Sequence, residues 1–272
     1  MVPENLYHYT SLDALECILK NQTIRFTPLN KLDDLQEPMS ADAKTLGQYI
    51  FTSSWSSESD EMIPMWHMYA QQHAGVRISL KSNPFHIYYY TPKEFSKYFP
   101  NPNNVDLDTV IPMCDIANDY CIIPYKPNLQ LFQIQYTDDH EKLFPRLKTF
   151  DNNHFSCELL GLGKHKNTSW EFQKEWRYSL LIIPFSLQYM YKIINLENSF
   201  LFLKLINEIL NGTRAIPFDY YYMKISDYAF SNMQIVLGAK MSTNQKEFAK
   251  QIVSKYNPMA TVTESILTNQ IR

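Results

Sequence analysis

Glycine is scarce in this chain, at 6 of 272 residues, which argues against a glycine-rich or disordered polypeptide. Cysteine is nearly as rare. Cys17, Cys114, Cys121 and Cys157 form no Cys-x-x-Cys pair and have no histidine at zinc-finger spacing, so neither a metal centre nor a disulfide framework is expected. Neither sign of charge dominates. A net charge of -3 leaves no global basic field for duplex nucleic acid and allows only a local basic patch. No run is apolar for long enough to span a bilayer. The opening residues Met1–Asn5 lack a basic region followed by an apolar one. A cytoplasmic protein with no membrane partner is the expectation.

Apolar and aromatic residues are abundant. Hydrophobic residues make up 45%, with 19 Tyr, 16 Phe and 4 Trp, enough for a sizeable core. Aromatic faces can stack on bases or on nicotinamide, but most fill cores. The pattern predicts a mixed α+β fold in one domain over 1–272, with an insertion at about 84–130 rich in Pro, Asn and Tyr. Leu6–Thr10 reads as a short strand. Thr10 or Ser11 caps a helix whose apolar face is Leu12, Leu15, Ile18 and Leu19. Ile24–Thr27 is a strand stopped by Pro28, and Asn30–Pro38 is an acidic loop. Tyr49–Ser56 reads as a strand running into a serine-rich turn. A helix over Met62–Gln72 ends at Gly75, and Val76–Leu80 and Leu131–Tyr136 are strands. Further on, a helix is predicted over Glu141–Leu160, a basic loop at Gly161–Lys166, and an apolar helix over Leu196–Leu210. Tyr220–Ile225 and Gln234–Leu237 are strands, and Ser242 caps a helix to about Tyr256.

The stretch Trp170–Ile183 carries the most chemical information. Read as a strand, it puts Gln173, Glu175 and Arg177 on one face and Phe172, Lys174, Trp176 and Tyr178 on the other. A carboxylate between an amide and a guanidinium suits a polar ligand, although a half-exposed ion pair would look the same. Beyond Tyr178 both faces are apolar, so the charged face sits at the strand's entrance, where a cleft can open. His8 and Thr10, two apart on an extended segment, also face the same way; a histidine ring and a hydroxyl can grip a ribose.

Several motifs run collinear along the chain: Tyr7-His8-Tyr9-Thr10-Ser11-Leu12, Asp33-Asp34-x-x-Glu37, Met65-Trp66-x-x-Tyr69 with Gly75-Val76, Trp170-x-Phe172-x-x-Glu175-x-Arg177, and Ile235-Val236-Leu237-Gly238. On these the chain resembles a widespread bacterial family of unassigned function. Its Tyr-His-x-Thr opening and late Glu strand in turn resemble ADP-ribosyltransferases, especially the DarT-like enzymes that modify DNA. The chain departs from the family's usual Asn-Asp-Pro at Asp33-Asp34-Leu35, and has Gln173 where Glu is common.

The resemblance implies an NAD-dependent ADP-ribosyltransferase, a toxin or phage-defence effector held by an antitoxin partner. Cleaving the nicotinamide–ribose bond passes through an oxocarbenium-like sugar, which a carboxylate stabilises; Glu175 is the expected catalytic residue. His8, Tyr9 and Thr10 would hold the ribose and nicotinamide end, with Tyr9 or Tyr69 stacking on the ring. Arg25 or Arg177 would pair with the pyrophosphate, Arg177 alternatively orienting Glu175. Gln173, Asp33, Glu37, Lys164 and Lys166 are expected to meet the acceptor, and nucleic acid, RNA or DNA, is favoured over protein. Two other classes compete. One is a non-catalytic sensor of NAD or ADP-ribose; the other is a metal-dependent nuclease built on His8, Asp33, Asp34 and Glu37.

Overall fold

The computed structural model describes residues 1–271 apart from 44, 98–105, 117, 124–128, 152–153 and 196–198. Among the described residues ten strands join one mixed sheet: β1 (Asn5–Thr10), β2 (Thr23–Pro28), β3 (Ile50–Ser56), β4 (Val76–Lys81), β5 (Cys121–Ile123), β6 (Gln130–Gln133), β7 (Glu175–Ile183), β8 (Tyr221–Lys224), β9 (Gln234–Leu237) and β10 (Thr261–Glu264). The flanking helices include α1 (Leu12–Asn21), α2 (Ile63–Tyr69), α3 (Leu187–Asn195), α4 (Ser199–Leu210) and α5 (Thr243–Tyr256). The fold is α+β, as its composition of elements required.

The sheet is organised around β3. One edge of β3 pairs along its length with β7, from Leu181↔Ile50 to Glu175↔Ser56. Its other edge is divided. Phe51 and Thr52 pair with β2, and Ser56 pairs with Tyr7 of β1. Between these contacts β1 and β2 diverge, with α1 connecting them. The backbone of Ser53–Trp55 therefore faces a gap rather than a strand, and this split opens a cleft of about 430 Å³.

β7 explains why the cleft is polar at one end and sealed at the other. Trp176, Tyr178, Leu180 and Ile182 pack in the larger core with β1, β2, β4 and α5. On the opposite face, Glu175 and Arg177 line the cleft, and two turns of the alternation later Leu181 and Ile183 enter a second core with Leu46, Tyr49 and α4. One strand face thus passes from charged to apolar, consistent with the side-chain period of two. Trp170–Gln173 is not strand as expected but part of a short 3-10 turn, Thr168–Gln173, and Lys174 follows in the left-handed region at φ 46°.

Several local expectations are met. The Ser11 hydroxyl accepts from Ala14 N at the start of α1, and Ser242 with Gln245 forms a capping box on α5. The helix expected over Glu141–Leu160 is not formed. A single turn, His140–Leu143, stops ahead of Pro145, and Lys148–Asp151 pairs with His154–Cys157 as a hairpin. Proline has no N–H and disfavours helix in the residue before it; Phe144 has φ -122°, ψ 67°. The serines of 50–56 lie inside β3 rather than in a turn. Helix α3 and strand β10 were not expected. Part of the expected 196–210 helix and of the 84–130 segment falls outside the described residues; within the latter, Tyr88–Tyr90 pairs with Leu107–Thr109, and β5 joins the main sheet beside β7.

A left-handed turn follows α2. Gln71, Gln72 and His73 have φ of 48°, 53° and 75°, a conformation costing about 1–2 kcal/mol per residue. It is held by close backbone packing, since a Cβ on Gly238 would stand 2.2 Å from His73 O and 2.7 Å from Gly75 O. Gly238→Ala is expected to lose about 1–3 kcal/mol in urea unfolding, with the β4–β9 amides the first to lose exchange protection. No helix among the described residues is long and apolar enough to cross a membrane.

Candidate functional site

Four charged side chains meet at the cleft floor, each nearly excluded from solvent: Glu37, Lys166, Glu175 and Arg177. Arg177 Nε donates to Glu175 Oε1 at 2.5 Å. Its Nη1 donates to Glu37 Oε2 and, at 3.2 Å, to the carbonyl of Gly163. Gly163 presents that carbonyl from a backbone with φ +74°, which favours glycine. Lys166 Nζ donates to Glu175 Oε2 at 2.9 Å and to Gln173 Oε1 at 2.8 Å, and stands 3.2 Å from Glu37 Oε1. Two carboxylates and two cations balance, which makes their shared burial tolerable. Burial alone would raise the Glu175 carboxyl, but Arg177 first and then Lys166 outweigh it and hold it down at about 2. Glu175 is a fixed, ionised carboxylate.

This is the opposite of a half-exposed surface pair. It also changes the role of several expected residues. Arg177 is 1% exposed and engaged at Nε and Nη1, so it orients Glu175 rather than meeting a pyrophosphate. Lys166 spends its donors inside the floor. Lys164 pairs with Glu158 at 2.6 Å and does not line the cleft, so the expected basic loop is not a free cationic patch. The amide of Gln173 is engaged at both ends, by Lys166 and through Nε2 with the Tyr69 hydroxyl at 2.6 Å. The Tyr9 ring packs edge-on against Trp66, and its hydroxyl accepts from Met62 N. That ring is thus held against α2, while Tyr9 also lines the cleft.

The remaining expected residues line the cleft. His8 and Thr10 project into it from β1, Arg25 from β2, Asp33 from the acidic loop, and Tyr69 from α2. His8 Nδ1 lies 3.0 Å from Ser54 O. A carbonyl can only accept, so Nδ1 carries the proton and Nε2 is left as an acceptor. Burial chiefly, and Arg25 nearby, hold the His8 pKa below its ordinary value, so the ring is neutral. A lowered histidine favours the fold above pH 6.5, and that contribution is lost as pH falls below it. Nitrogen-15 NMR at pH 7 should find His8 as the Nδ1–H tautomer, and unfolding free energy should fall less between pH 7 and 5 in His8→Gln than in the wild type.

Arg25 is exposed at the rim, its guanidinium 4.8 Å over the Tyr220 ring. Lys31 lies 5.1 Å over the same ring and pairs with Asp219. Tyr222, also a cleft residue, is 55% exposed. Among buried polar atoms of cleft residues, Thr52 Oγ1 has no hydrogen-bond partner, and Glu37 Oε1 has only its ion pair with Lys166. Sequence reasoning missed Thr52, Ser54 and Tyr136, whose hydroxyl accepts from Glu175 N at 2.8 Å. The signal for the first two was the small polar residue at every second position of β3. Among the described residues no group of three His, Cys, Asp or Glu is placed to hold a metal.

No curated protein and no solved structure matches the chain. The opening around His8, the acidic loop and the Ile235–Gly238 motif lie outside the stretch that matches a family model. Residues 65–178 match the model of a family described as Protein of unknown function (DUF2971), a stretch that takes in Met65, Tyr69, Lys166, Gln173, Glu175 and Arg177 of the cleft.

Proposed function

We propose that the cleft binds NAD and transfers its ADP-ribose to an acceptor. The observation that carries this reading is the Glu175 carboxylate, buried, ionised and fixed at the floor of a cleft formed where β1 and β2 part. A fixed anion stabilises the cationic sugar that forms as the nicotinamide–ribose bond lengthens, without reorganising as charge develops. Neutral His8 offers Nε2 to a ribose hydroxyl, with Thr10 beside it. Arg25 at the rim suits the pyrophosphate. The unpartnered Thr52 Oγ1 favours a ligand that offers it a hydrogen bond.

Nucleic acid is the proposed acceptor. With the Lys164–Lys166 loop spent internally, the support rests on the rim, where Arg25, Lys31, Tyr220 and Tyr222 combine cations with aromatic faces as single-stranded sites do. A toxin or phage-defence role with an antitoxin partner is proposed on the likeness to DarT-like enzymes. A second reading, a sensor that holds NAD or ADP-ribose without turnover, is favoured by one observation: both oxygens of Glu175 already have partners.

The test is nicotinamide release from NAD by the purified protein, with single-stranded RNA, single-stranded DNA or lysate as acceptor. Acceptor-dependent release supports the transferase. Thermal stabilisation by NAD without release identifies the sensor. Neither effect would remove both readings.

A further inference from the structure

Lysine can only donate hydrogen bonds, and this fixes the direction of a chain across the cleft wall. Lys166 Nζ donates to Gln173, so the atom it meets at 2.8 Å is the carbonyl Oε1. The other end of that amide is then Nε2, a donor, and it meets the Tyr69 hydroxyl at 2.6 Å. Tyr69 therefore accepts through a lone pair, and its own proton must point elsewhere. Among the described residues no protein group accepts that proton, and Tyr69 lines the cleft.

We infer that Gln173 is a positioning residue that sets the polarity of this chain and makes Tyr69 a hydrogen-bond donor to the ligand. The chain runs Lys166, Gln173, Tyr69, ligand, each member donating to the next. Burial first, then the carboxylates of Asp33, Glu175 and Glu37, raise the Tyr69 pKa, so the phenol keeps its proton. The cleft thus has two kinds of contact. His8 Nε2 accepts, and Tyr69 donates. The partner of Tyr69 is an acceptor on the ligand, such as a carbonyl or ring nitrogen; for NAD, the inference rests on the reading above. A glutamate at position 173 would still meet Lys166, but its second oxygen could only accept. The Tyr69 proton would then turn inward to it, and the ligand would lose its donor. The glutamine in this chain is in this sense a choice of ligand chemistry.

The experiment compares the wild type with Tyr69→Phe, Gln173→Glu and the double variant. NAD affinity is measured by titration calorimetry, nicotinamide release gives kcat and KM, and thermal unfolding checks the fold. Tyr69→Phe is expected to weaken NAD binding by about 3- to 10-fold, the range for one hydrogen bond. Gln173→Glu should produce the same loss, and the double variant no more than either single one. Wild-type affinity in either single variant, or losses that multiply, would overturn the inference. If the wild type neither binds nor cleaves NAD, the functional reading fails on its own. The polarity is then read without ligand from the Tyr69 C–O stretch, isolated as the infrared difference between each protein and its Tyr69→Phe partner. A band that moves in Gln173→Glu supports the reversed chain, and a band that does not move refutes it.

Discussion

Replacing Glu175 with glutamine should lower nicotinamide release by at least about 100-fold, the usual scale for removing one preorganised electrostatic contact. The substitution keeps the volume and one carbonyl oxygen but removes the charge that, in the proposed reaction, opposes an oxocarbenium ion. Ground-state NAD, whose ribose is uncharged, should bind within about threefold of wild type, because the loss falls on the transition state. The result that would sink the assignment is a well-folded Glu175→Gln protein with wild-type kcat. A parallel fall in affinity and rate would instead indicate that Glu175 only shapes the cleft.

Arg177 should matter most for stability. Arg177→Met leaves Glu37 and Glu175 buried with only Lys166 between them, and about 3–5 kcal/mol of unfolding free energy should be lost at pH 7. The pH dependence gives the cause. In the wild type the Glu175 carboxyl is held at about 2 against an ordinary 4.5. Its ionised form therefore stabilises the fold above pH 4.5, and that contribution, about 3 kcal/mol, is lost as pH falls toward 2. Without Arg177 the carboxyl is no longer held so low, and protonation relieves the floor instead of weakening it. The stability gap between wild type and variant should narrow from pH 7 to pH 3 in urea titrations. A gap that stays constant would mean that Arg177 contributes by packing alone.

Much of this site was legible because short-range periodicity was enough. Glu175 and Arg177 sit two apart and face one cleft, His8 and Thr10 do the same on β1, and the core face of Trp176 and Tyr178 follows from the same alternation. What could not be read was who occupies whom. A lysine in a loop looks like a surface cation. Only the fold reveals that Lys166 lies beneath two carboxylates, and that Lys164, two residues away, turns outward to Glu158. Arg177 had two readings in sequence, and they separate once Glu37 arrives from a loop 140 residues away. The failed helix at 141–160 was a different error. Apolar residues there fit a helix locally, but Pro145 interrupts the hydrogen-bond ladder, and the pattern beyond it fits a hairpin equally well. Gln173 reached the cleft as expected, yet through a left-handed Lys174 and a 3-10 turn rather than by strand alternation.

The central position of β7 bears on how this protein fails under stress. Its first residues carry Glu175 and Arg177, and the strand is paired on both sides, with β3 along one edge and with β6 and then β5 along the other. Its amides can exchange with solvent only when neighbouring strands separate, which places them at the slow end of the hydrogen-exchange scale. The helices α3 and α4 expose Tyr189, Phe200 and Leu203 on one side, while Ile193, Leu205, Ile206 and Ile209 close the second core over Leu181 and Ile183 of that strand. Heating should therefore loosen the edge strands β8 and β10 before the β7 ladder, while the ionic floor stays assembled. Inactivation would then track the global unfolding transition, and partly opened forms would retain a working cleft.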